Sequence, residues 1–168
     1  MNSSSHSADH ENHGQVTAKS HAKQGHYLRF VLMLLLSFVA MFVLMYAMVD
    51  RLANAVPNIN QAYMAALMTA PMMILELVLM GRMYPNKRKN LALIAAGVLL
   101  LAASWFAIRL QTAVDDDQFL KSMIPHHAGA ILMCKEADLQ RPEVKKLCAE
   151  IITAQEQEIA LMRGLLEK

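Results

Sequence analysis

Three apolar runs, Leu28 to Val49, Ala62 to Met80 and Leu91 to Ile108, constrain this chain more than any other feature. A bilayer core needs about 20 predominantly apolar residues per helix, so each run reads as a membrane span. Arg29 and Ser37 interrupt the first and Glu76 the second, while the third is clean. Tyr27, Tyr46, Tyr63, Tyr84 and Trp105 fall near the run ends, where amphipathic rings favour the headgroup region. A hydrophobic share of 55% and a mean hydropathy of +0.28 are too apolar for an ordinary soluble domain. The net charge of +2 gives no footprint for nucleic-acid binding. The reading is all-α: a polar leader (1–26), three transmembrane helices within residues 27–110 (28–49, 62–80, 91–108), and a C-terminal helical hairpin (111–168).

The basic residues set the direction. Lys19, Lys23 and Arg29 precede or open the first span, and Arg82, Lys87, Arg88 and Lys89 lie between the second and third. The first loop, Asp50 to Gln61, has one Arg and no Lys. Both basic segments fit the cytoplasmic side, which puts the first loop and everything after Arg109 outside. The expectation is a protein of the cytoplasmic (inner) membrane with its hairpin periplasmic or extracellular. Ala53-Asn54-Ala55 resembles a signal-peptide cleavage site, but the first run is too long for a usual signal core, so an uncleaved anchor is expected.

The leader is rich in Ser, His and Lys without apolar periodicity and reads as disordered. His6, His10, His13, His21 and His26 are irregularly spaced on it, which favours a solvated tail over a metal site. Methionine is heavily used, with 14 residues against two Cys. At about 100° per residue, Thr69, Met73, Glu76, Met80 and Met83 share one face of the second span, and Ser37, Met41, Met45 and Met48 one face of the first. Methionine serves flexible packing at such contacts. Glu76 is the possible intramembrane polar site, because an ionisable group in hydrocarbon normally faces a bundle interior or a polar cavity. It is placed to pair with Arg82, to reach interfacial water, or to join an ion path.

After a linker over residues 110–114, Asp115 is a good N-cap, with Gln118 completing a capping-box-like start. The helix runs to about Leu139, and Pro142 suits the first position of the next. There Val144, Leu147, Cys148, Ile151, Gln155, Ile159 and Met162 recur at helical spacing. On the first hairpin helix Met123, His126 and His127 form an i, i+3, i+4 group, and Met133 extends the His126 side. Pro125 removes a backbone hydrogen bond and exposes the Lys121 carbonyl. Folding the hairpin about Arg141 sets Cys134 opposite Cys148, His127 opposite Gln155 and Met123 opposite Ile159, with Glu158 nearby. Thioether with imidazole suits Cu(I) far better than Mg or Ca. Alternatively, the methionines are core and the histidines pair with Glu158. Cys134 and Cys148 are open to three readings: a disulfide clip, a thiolate pair, or small buried residues.

The run Phe119-Leu120, Met123-Ile124-Pro125-His126-His127, Ala130-Ile131 and Met133, followed by Ile151-Ile152, Gln155, Glu158-Ile159 and Met162, resembles the domain of unknown function 305 family. The resemblance covers about the last 50 residues. It implies a ferritin-like helical fold, usually extracytoplasmic, and copper binding as in some members. Met123, His126, His127, Met133 and Met162 become the implied metal ligands, with Gln155, Glu158, Cys134 and Cys148 as supporting or alternate ones. Gly164-Leu165 stands where this family often carries a Trp, and only one hairpin is present. A lone hairpin buries little core, so homodimerisation into a four-helix bundle, or docking onto the outer membrane surface, is expected.

The function expected is a membrane-anchored, extracytoplasmic Cu(I)-binding protein for sequestration, tolerance or transfer to a copper-handling partner. The alternative is a structural or interaction module that assembles with other membrane proteins and has no metal role. A di-iron enzyme is disfavoured because neither His has a Glu three residues before it. No nucleophilic triad, P-loop or dinucleotide fingerprint is present, so no enzyme activity is expected.

Overall fold

The computed structural model describes residues 6–167, with side chains from Gly25 onward. Five helices follow in order: α1 (His6–Leu44), α2 (Ile59–Leu79), α3 (Lys87–Leu110), α4 (Asp116–Glu136) and α5 (Pro142–Leu166). No strand occurs among the described residues. Three of the helices are long and apolar enough to cross a membrane: Gly25–Met48, Ile59–Leu79 and Lys87–Leu110. Helical backbone is described from His6, ahead of the first span. The expectations placed on the leader side chains, His6, His10, His13 and His21 included, lie outside the described residues.

The spans start and stop on local signals. Asn58 caps α2 by accepting from the Gln61 amide at 2.9 Å, and Asn86 caps α3 by accepting from the Lys89 amide at 3.0 Å. Gln111 ends α3 in the left-handed region at φ 49°, a conformation costly for a residue with a Cβ. Its side chain offsets part of that cost by donating to the Ile108 carbonyl at 2.6 Å and accepting from Asn60 at 3.0 Å. The chain thereby turns sharply back over the start of α2.

Among the three apolar helices α2 packs against both α1 and α3. Thr69 returns its hydroxyl to the Ala65 carbonyl at 2.8 Å and sits 3.8 Å from the Met41 sulfur, so the two methionine-bearing faces meet here. Gly97 lets α3 approach closely. A methyl there would lie 2.7 Å from Met73 Cε and 2.9 Å from Ile74 Cγ1. Gly97→Ala is therefore expected to cost roughly 1–3 kcal/mol through overpacking. Thermal unfolding in detergent reads this as a lowered midpoint; an unchanged midpoint would show that the contact yields freely.

Where the apolar part of α1 begins beside the end of α2, Phe30, Met73, Leu77 and Tyr84 form a buried cluster. Tyr27 donates to Asn90 Oδ1 at 2.8 Å, Asn90 donates to the Tyr84 carbonyl at 2.9 Å, and Tyr84 donates to Glu76 at 3.0 Å. Burial, followed by the hydrogen bond to Glu76, pushes the Tyr84 phenol up to about 12. Tyr84, then, is the partner of Glu76, while Arg82 is exposed. Of the expected methionine stripe only Met73 is buried; Met80 and Met83 are exposed.

The hairpin docks on the loop between the first two spans. Ile124, Ala128, Ile131, Ile159 and Met162 form its core, and Val49 and Val56 of the loop pack against that core. The capping box is half-built: the Gln118 amide donates to Asp115 Oδ1 at 2.8 Å, but the Gln118 side chain accepts from the Ile59 amide at 3.0 Å. It thus satisfies a free N–H at the start of α2 rather than at its own helix. α4 continues through Pro125, and the Lys121 carbonyl that the proline leaves free accepts from Asn58 at 3.4 Å. From α5, Arg163 donates to the Ala53 carbonyl and to Asn54 Oδ1 at 2.8 Å.

Asn54 is buried and donates to Asp50 at 2.6 Å. Burial alone would raise the Asp50 carboxyl, but hydrogen bonds from Asn54 and Arg51, with the Arg51 charge, bring it below its ordinary value. A carboxylate depressed in the folded state stabilises fully above its unfolded value and loses that contribution as pH falls through the folded one. Docking is thus expected to loosen as pH falls below the usual carboxylate range. Protection factors at Ala53 and Asn54, taken against the intrinsic exchange rate at each pH, should fall over that window, and Asp50→Asn should remove that fall.

Candidate functional site

The hairpin presents its chemistry where α4 and α5 face each other, two turns from the disulfide. His127 is buried, its side chain 10% exposed, and its Nε2 lies 2.6 Å from Glu158 Oε2, itself 54% exposed. An ionised Glu158 can only accept, so Nε2 carries the hydrogen and a neutral ring leaves Nδ1 as a bare lone pair. That Nδ1 is buried and has no hydrogen-bond partner. A buried polar atom left unsatisfied costs about 1–3 kcal/mol. The arrangement matches a histidine held by a carboxylate through one nitrogen while the other is free to bind a metal.

Sulfur lies on the neighbouring turns of both helices. Met123, one turn before His127, packs half-buried on the hairpin core, and Met162, one turn after Glu158, is buried within it. Among the described residues no group of three or more His, Cys, Asp and Glu side chains converges. Any first-row metal held here would therefore rely on thioether sulfur beside one imidazole, a donor set that fits a soft ion.

The structure separates the other expected ligands from these. His126 is exposed, with its ring centroid 6.1 Å from that of His127, and Met133 is 55% exposed on the outer side of α4. Gln155 is half-buried, but His127 takes Glu158, three residues further along the same face, as its partner across the hairpin. Cys134 and Cys148 are joined in a disulfide with Cα atoms 5.3 Å apart, so neither sulfur serves as an alternate ligand in this state. Sequence reasoning missed the residues that seat the hairpin: Asn54, Asn58 and Arg163. Asn58 carried a visible signal, an Asn ahead of an apolar run; nothing local marks Arg163.

Comparison with known proteins bears on the same segment. The family described as Domain of unknown function (DUF305) matches residues 102–166, the end of α3 and the whole hairpin. A relative also spans most of the chain: an uncharacterised protein of Acanthamoeba polyphaga mimivirus is 34% identical over 143 residues, covering 81% of this chain and 92% of that one. The chain belongs to the DUF305 family. The similarity to the viral protein is too long to be held by the DUF305 hairpin alone, so it reaches into the spans. No solved structure matches the chain.

Proposed function

We propose that this DUF305 protein is a membrane-anchored, extracytoplasmic binder of Cu(I) that sequesters the ion or passes it to a copper-handling partner. The observation that carries the reading is His127, buried, fixed by Glu158 through Nε2, and unpartnered at Nδ1. Met123, one turn before His127, and Met162, one turn after Glu158, are the soft donors available to the site. Thioethers suit an oxidising compartment, where free thiols tend to be lost. The distribution of Lys and Arg about the spans supports an outer hairpin on the inner membrane. His126 and Met133 share the outer side of α4 seven residues apart, and they join the ligand set if a second hairpin covers that side, as in a ferritin-like four-helix bundle. No catalytic role is proposed.

A Cu(I) titration of the full chain in detergent, against a competing chelator, tests this reading. The leader histidines are replaced so that they do not contribute. Sub-micromolar binding that disappears in Met123→Leu with Met162→Leu supports the site, and unchanged binding in that variant removes it. A reporter fused after Lys168 tests the orientation separately, with activity expected outside the cytoplasm.

A second reading has its own observation. The His127–Glu158 contact and the Arg163–Asn54 bond both tie elements together without any ion, as a purely structural module requires. The absence of any Cu(I) binding in the same titration would favour it.

A further inference from the structure

The turn end of the hairpin holds a second sulfur pair, which the candidate site does not use. Cys134 lies near the end of α4 and Cys148 near the start of α5. Both are half-buried, and both line an open depression of about 310 Å³ together with Ala137, Asp138, Leu139 and Lys145. A dithiol can reach the sulfurs through that opening.

The helices have other reasons to stay in register. Their apolar core of Ile124, Ala128, Ile131, Ile159 and Met162 lies beyond the disulfide, and Lys135 bonds Glu156 across the hairpin at 3.1 Å. Arg163 and Lys121 fasten the far end to the first loop. Opening the disulfide therefore leaves the two sulfurs on neighbouring backbones whose Cα atoms stand 5.3 Å apart.

We propose that Cys134 and Cys148 form a redox-gated Cu(I) site, separate from His127. An external dithiol supplies two electrons: its thiolate attacks one sulfur to give a mixed disulfide, and its second thiol displaces the cysteine. The products are two cysteine thiols and the oxidised dithiol. Cu(I) then binds both sulfurs and releases two protons. With no third His, Cys, Asp or Glu converging among the described residues, the reduced pair offers two sulfurs only. Zn(II) fills four positions in a structural site, whereas Cu(I) is selected by soft thiolates.

The full chain in detergent, its leader histidines replaced, is compared as purified and after dithiol reduction, with the reductant removed anaerobically. The reduced protein should bind one more equivalent of Cu(I) than the oxidised protein. Bound Cu(I) should also shield both thiols from iodoacetamide. Cys134→Ser with Cys148→Ser should bind as the oxidised protein does, whatever the redox treatment. Equal stoichiometry in the two states overturns the proposal, as does an increment that survives in the double variant, or a disulfide that the dithiol leaves intact. Failure of the His127 reading shows differently, as an absence of binding in the oxidised protein.

Discussion

His127→Leu is expected to abolish Cu(I) binding at the hairpin while leaving the metal-free protein as stable as the wild type, or more so. Without metal, the wild-type ring buries an Nδ1 that nothing satisfies, at a cost of about 1–3 kcal/mol. Leucine removes that cost and fills similar space beside Ile124 and Ile131. The lost contact to Glu158 is a hydrogen bond from a neutral ring to a half-exposed carboxylate, and its net contribution of about 0.5–1.5 kcal/mol is offset by the cost that leucine removes. The wild type should instead gain stability on adding Cu(I), by roughly 2.7 kcal/mol at 100 times the dissociation constant. Glu158→Gln is the milder probe. Loss of a carboxylate that orients a ligating histidine typically weakens metal binding about 10–100-fold. Thermal unfolding with and without Cu(I) reads both variants. A His127→Leu protein that is strongly destabilised and still binds Cu(I) would make the histidine a structural pin.

The second large effect concerns the seat of the hairpin. Arg163→Ala together with Asn58→Ala is expected to release the hairpin from the first loop without unfolding either helix. Hydrogen bonds made by a charged donor contribute about 1.5–3 kcal/mol each, and Arg163 makes two, to Ala53 and Asn54. The Asn58 change frees the Lys121 carbonyl, which Pro125 has already deprived of its helical partner, and removes the cap of α2. What remains is the apolar contact of Val49 and Val56, with the Gln118–Ile59 and Asn60–Ser122 hydrogen bonds. Proteolysis in the linker over 111–114 should accelerate, and exchange at Ala53 and Asn54 should rise. Unchanged protection in the double variant would mean that the apolar packing and the Gln118 and Asn60 bonds seat the hairpin without Arg163 and Asn58.

Sequence carried the elements well because their signals are local. The spans expected at 28–49, 62–80 and 91–108 are found at Gly25–Met48, Ile59–Leu79 and Lys87–Leu110. The shifts at the ends come from caps such as Asn58 and Asn86, which hydropathy does not register. Asp115 and Pro142 start the hairpin helices where capping chemistry puts them. Close to the turn the register was also legible, since few residues separate Cys134 from Cys148. Further out the offset grows, and Glu158 reaches His127 where Gln155 was expected. Helical spacing placed Met133 on the side of His126 but carried no information on whether anything covers that side. Least legible were the docking contacts. Gln118 looks like half of a capping box, and only the approach of α2 explains why its side chain turns away to Ile59.

The central claim is that His127 binds copper beside thioether sulfur. X-ray absorption at the copper edge tests it most directly, on the oxidised full chain with its leader histidines replaced and one equivalent of Cu(I) bound. The account predicts a first shell containing both sulfur and imidazole nitrogen, with the sulfur lost in Met123→Leu with Met162→Leu and the imidazole lost in His127→Leu. A shell of nitrogen and oxygen alone, or a spectrum that none of these substitutions alters, would contradict it.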